Sequence, residues 1–303
     1  MAPTERYHQK ISERLNEAKS ISDQVYYMAK EITMDLDNLF RTAPKENVPI
    51  MGTVIRIGKF LYSYVGISFN VVWRFYNFKD ETFVIQGVRR KAKAYLKEKE
   101  LHVDYYSIGW RIDRGFLMDM VQHEICHFFE YQKQPNPNYK NTDKYKQATQ
   151  IMQNGNREEP AYSVARIIYI GYKFEQRAFV NGAYGHLMAS DDYDNEFENA
   201  IKETPLYNWL TNIDKSILTL QKYQGTKDLE DALKPYHYSY ATVLKIAVHT
   251  RENLIWMMGR TISKAMQDYP EKHLVMEAFT GDDLEEEKRE WLMTTMKKYF
   301  CRT

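Results

Sequence analysis

Residues 119–131 read DMVQHEICHFFEY, and within them His123, Glu124 and His127 form the pattern H-E-x-x-H. From Asp113, a suitable N-cap, a helix is expected to run to about Gln132, where the QPNPN stretch breaks it. On that helix a four-residue spacing places both imidazoles on one face, a turn apart, where they can share one Zn²⁺. Glu124 projects about 100° away and is the candidate catalytic base, able to take a proton from an activated water. Five residues recur by chance too often to stand alone, so context must decide. The helix is apolar nearly all round (Phe116, Leu117, Met120, Val121, Ile125, Phe128, Phe129), so it is expected to be buried, and its central polar residues need partners.

Working outward, the preceding stretch changes period. Phe69, Val71, Trp73 and Phe75 alternate with Asn70, Val72, Arg74 and Tyr76, a strand with one buried face. Met51–Gly58 and Thr82–Val88 are weaker strand candidates. Ala92, Ala94 and Leu96, then Leu101, Val103 and Tyr105, suggest a hairpin around KEKE. A helical reading of RRKAKAYLKEKE competes, because Lys, Ala and Glu favour helix. Before the sheet, Tyr7, Ile11, Leu15, Ala18, Val25, Met28, Ile32 and Leu36 recur at helical spacing behind Thr4 as N-cap. Pro44 and KENVP close that first helix. After the H-E-x-x-H helix a second long one is expected from Pro160 to Ala189. SDDYDNE marks a boundary, and the remainder is helical, punctuated by YQGTKD and TGDD. The expected class is α+β and predominantly helical, divided into an N-terminal helix (1–45), a metal-binding core (46–190) and a C-terminal helical region (191–303).

The H-E-x-x-H segment resembles the active-site helix of the zincin metallopeptidases. The resemblance implies a small, mostly antiparallel sheet packed on that helix and a second helix bearing the third ligand. It also implies that the strand HVDYYSIGW just upstream is an edge strand able to pair with an extended peptide. A third His of the metzincin kind is absent, since Glu130 and Lys133 stand where it would follow. The site is therefore similar to that of gluzincins, with a Glu as third metal ligand. On a 100° wheel Val164, Ile168, Gly171, Ala178, Phe179 and Gly182 make one apolar stripe with Glu175 at its centre. A buried carboxylate needs a partner, and a metal ion is one; a Tyr or Arg is another. His186 and Glu159 are the next candidates. Small residues Gly171, Ala178 and Gly182 would let the two helices approach closely. Asp119 and Glu130, a turn either side of the histidines, are candidates to orient the rings. Tyr184 and His186 are candidate oxyanion donors. Cys126 reads as an apolar filler.

The 303 residues carry 42 Lys and Arg against 41 Asp and Glu, which excludes bulk electrostatic attraction to nucleic acid or anionic lipid. Two cysteines make no disulfide framework. No apolar run is long enough for a membrane span, and MAPTERYHQKISERL has no secretion signal, so a cytoplasmic location or a place in a phage particle is expected. Tyr is abundant at 24 and Gly sparse at 13, a composition that suits subunit interfaces but that the base composition of the genome also explains, so it decides nothing alone. Two main readings follow. One is a zinc peptidase acting on peptide or protein substrates. The other is a non-enzymatic subunit on a zincin-like scaffold, a homo-oligomer or a partner of virion proteins. Its general character is similar to a tailed-phage connector or tail-ring component. A regulator that cleaves or senses a repressor is a third.

Overall fold

The alternating stretch around Trp73 becomes an inner strand of a four-stranded sheet. The computed structural model describes residues 21–42, 54–64, 67–78, 92–97, 100–108, 113–133, 142–156, 159–189 and 197–268. Strands β1 (Val54–Tyr64), β2 (Ile67–Phe78), β3 (Ala92–Lys97) and β4 (Glu100–Ile108) lie in the order β1-β2-β4-β3. Phe69, Val71, Trp73 and Phe75 are buried with Leu101 and Val103, while Asn70, Val72, Arg74 and Tyr76 are half-buried. On that second face Arg74 Nε donates to Asp104 Oδ1 at 2.6 Å from its register partner on β4.

The hairpin reading of 92–106 is the one observed, with Lys97 opposite Glu100. The sheet is mixed but mostly antiparallel: β1–β2 and β3–β4 are antiparallel, while β2 and β4 run parallel. Over its described residues, 102–108, HVDYYSIGW is not an edge strand. β4 sits between β2 and β3, so both rows of its backbone groups are engaged, and among the described residues β1 and β3 form the edges. Thr82–Val88 lies outside the described residues.

Helix α1 (Ile21–Arg41) buries Val25, Met28, Ile32 and Leu36, the expected stripe; its proposed start at Thr4 lies outside the described residues. Helix α2 (Arg114–Lys133) opens where Asp113 Oδ1 accepts from the Phe116 N–H at 2.8 Å. Helix α3 (Asp143–Asn154), capped by Thr142, was not anticipated.

The expected single helix from Pro160 to Ala189 is two: α4 (Pro160–Gly171) and α5 (Lys173–Ala189). Tyr172 turns extended between them (ψ 123°), and its carbonyl accepts from the Glu175 and Gln176 N–H groups. Gln176 Nε2 donates back to the Ile170 and Gly171 carbonyls at 2.9 and 3.3 Å, satisfying acceptors that the break exposes. Then follow α6 (Phe197–Glu203), α7 (Pro205–Lys222), α8 (Lys227–Leu233), one 3₁₀ turn and α9 (Tyr240–Gln267). Gly225 takes φ 76° in YQGTKD, a conformation favouring glycine; TGDD lies outside the described residues.

Two buried clusters result. The larger joins α1, the sheet, α2, α5 and the C-terminal half of α9. The smaller joins Ala148, Val164, Ile168, Leu220, Leu229, Tyr236 and Val243. The larger cluster draws on all three sequence stretches, so the lines at 45 and 190 do not divide separate cores. The class is α+β and mostly helical, and no described helix is long and apolar enough to cross a membrane.

Candidate metal centre

Helices α2 and α5 cross closely because glycines stand at the contact. A Cβ on Gly182 would meet Asp119 Oδ1 at 2.5 Å and the Asp119 carbonyl oxygen at 2.9 Å; one on Gly185 would meet Gln122 Oε1 and Met118 Cγ. Gly171, expected at this crossing, ends α4 instead and faces Ile246 and Thr250 of α9.

Along that crossing His123 and His127 on α2 meet Glu175 in the first turn of α5. Their relative exposures are 4%, 2% and 1%. The two Nε2 atoms are 3.2 Å apart, and Glu175 Oε2 lies 3.6 Å from that of His123 and 3.5 Å from that of His127. One proton can bridge the imidazoles at that distance; so can one cation placed among all three atoms. Ligand distances of about 2.0–2.2 Å in a tetrahedral zinc shell imply ligand–ligand edges of about 3.3–3.6 Å, close to the separations found. Glu175 Oε2 accepts no hydrogen bond, as expected of an atom turned toward a cation. His₂Glu is also a donor set suited to zinc and to other borderline divalent ions. Phe179 packs on the His123 ring at 4.4 Å and Phe174 on His127 at 5.6 Å, closing the apolar wall.

The electrostatics favour the anion. Burial alone would raise the Glu175 pKa, but the close approach and charge of His127, the charge of His123 and the Tyr145 hydroxyl outweigh it and hold the carboxyl down to about 2. The N-terminal turn of α5 adds the positive end of the helix dipole.

Other sequence candidates are placed elsewhere. Glu124 is half-buried, and its charge reaches the Tyr169 phenol. Asp119 does not orient His123: neither of its oxygens makes a hydrogen bond, and it abuts Gly182. Glu130 falls on α2, with its side chain outside the described residues. Tyr184 and His186 do not join the triad. At 1.5 Å per residue they lie about 13.5 and 16.5 Å along α5 from Glu175, and the Tyr184 hydroxyl donates to Asp268 Oδ2 at 2.8 Å. Glu159 is exposed at the start of α4. Cys126 is buried, with the Asn181 amide donating to its sulfur at 3.5 Å.

Two tyrosines escaped the sequence reading. Tyr145 on α3 donates to Glu175 Oε1 at 2.7 Å, and Tyr169 on α4 stacks on Tyr145 at 5.5 Å. Burial, then the charge of Glu175, pushes the Tyr169 phenol well above its usual pKa. Thr142 as N-cap, Asp143 in the first turn and the spacing Tyr145, Ala148, Met152 were the available signals for α3.

Compared with known proteins, the chain finds no counterpart: no family model matches it, no curated protein matches its sequence and no solved structure matches its fold.

Proposed function

We propose that the chain is a zincin-like, zinc-dependent peptidase, with His123, His127 and Glu175 as metal ligands and Glu124 as the catalytic base. The observation that carries this reading is the convergence of two imidazole nitrogens and one carboxylate oxygen within 3.6 Å on two buried helices. The chemistry a zinc bound there supplies is acidification of a water to near neutrality and polarisation of a carbonyl. Glu124 then holds the proton taken from that water and returns it to the leaving amine. Tyr169, buried and near the charge of Glu175, keeps its proton. An extended peptide would pair along β3, an edge among the described strands that also packs against α2.

Near-complete burial of all three ligands favours a second reading, a closed zinc that staples α2 to α5 in a non-enzymatic assembly subunit. Glu124→Gln separates the two. In the peptidase it should abolish cleavage of an unfolded substrate such as reduced casein while leaving bound zinc unchanged. Cleavage equal to wild type removes Glu124 from its role. Zinc retention with no cleavage by the wild type favours the staple.

A further inference from the structure

Glu175 offers two carboxylate oxygens, and the fold treats them differently. Oε2 faces the His123 and His127 Nε2 atoms, whereas Oε1 accepts the Tyr145 hydroxyl at 2.7 Å. The terminal torsion of a glutamate is soft, so an unrestrained carboxylate would exchange its oxygens or present both. Tyr145 is itself held on three sides: Tyr169 stacks on it with planes 25° apart, Tyr172 meets it edge-on at 5.3 Å, and Phe174 leans on it at 5.5 Å. The helix that carries it is tied down by Thr142, hydrogen-bonded to the Tyr172 hydroxyl at 3.0 Å.

We propose that Tyr145 is a positioning residue of the metal centre, holding Glu175 so that Oε2 alone is presented to the cation. The proposal rests on the metal reading above. It gives α3, which contributes no ligand, a direct part in shaping the site. A hydrogen bond to the non-ligating oxygen fixes the ligand's orientation and keeps the coordination number low, leaving room for a water.

The test uses the full chain with Zn²⁺ and Co²⁺ as probes. Tyr145→Phe keeps the ring in its aromatic setting and deletes only the hydroxyl. It should weaken Zn²⁺ binding by roughly tenfold to a hundredfold in competition with a chromophoric chelator. The visible bands of the Co²⁺-loaded protein should also lose intensity, as Glu175 turns bidentate and coordination rises. Tyr172→Phe removes a hydroxyl from the same cluster without touching Glu175; it loosens α3 only through Thr142 and should change both readouts far less than Tyr145→Phe. Melting curves of the metal-free chains report any loss of packing separately. Wild-type affinity with wild-type Co²⁺ bands in Tyr145→Phe overturns the positioning role and leaves the metal reading intact. Equal losses in the two variants overturn it in favour of packing. A wild type that binds neither ion overturns the metal reading, and this inference with it.

Discussion

Two carboxylates face each other's helices across the α2–α5 crossing, and their surroundings send them in opposite directions. A buried anion is costly unless charges and donors answer it. Glu175 has both histidines, the Tyr145 hydroxyl and a helix N-terminus, and it stays ionised. Asp119, fully buried, has no hydrogen bond on either oxygen; burial, with a smaller push from the Asp113 charge, drives its pKa well above the usual range. Its proton is therefore held in the folded chain and released in the unfolded one. The resulting stability is fully present below the ordinary Asp value and is lost as pH rises. Asp119→Asn, which mimics the protonated acid, should raise Tm relative to wild type at pH 8 and change it little near pH 4. An equal shift at both pH values would contradict a neutral Asp119. At this scale His123 and His127 were legible because their spacing puts both rings on one helical face. Tyr145 was not, because it joins the site from another helix through one long-range contact.

Among elements, the break at Tyr172 matters most. The wheel that placed Glu175 among Val164, Ile168 and Gly171 ran straight through it, and those residues belong to α4 and face other partners. Within α5 alone the wheel holds: Glu175, Phe179 and Gly182 follow one face at spacings of four and three. The break is hard to read because neither Gly171 nor Tyr172 forbids helix. It is stabilised by Gln176, whose side chain caps α4 from the next helix. Gly182 is where that face can bear least. Adding a methyl brings it against the Asp119 backbone oxygen, which has no rotamer to yield. Gly182→Ala should cost about 1–3 kcal/mol in urea unfolding, despite the better helix propensity of alanine. A variant as stable as wild type would mean that the two helices are free to move apart.

For the whole molecule, periodicity revealed which segments are helix and strand better than it revealed how they meet. The stripes of α1 and α2 and the alternation of β2 each report a local buried face, so they could be read directly. Strand order could not. The parallel pairing of β2 with β4 places the hairpin's second arm inside the sheet and leaves β3 at the edge beside α2, a relation that no local pattern encodes. Nor could the division of the chain, because α1 and α9 both pack into the larger core around α2 and α5. That packing brings together the residues on which the proposed chemistry depends, and X-ray absorption at the zinc edge tests it most directly. On the zinc-loaded full-length protein, one ion per chain is expected, with two imidazole nitrogens at about 2.0 Å and oxygen in the remaining positions. The histidine scattering should disappear in His123→Ala. A chain that stays zinc-free under zinc-replete conditions, or a spectrum unchanged in that variant, would contradict a metal centre at the crossing of these helices.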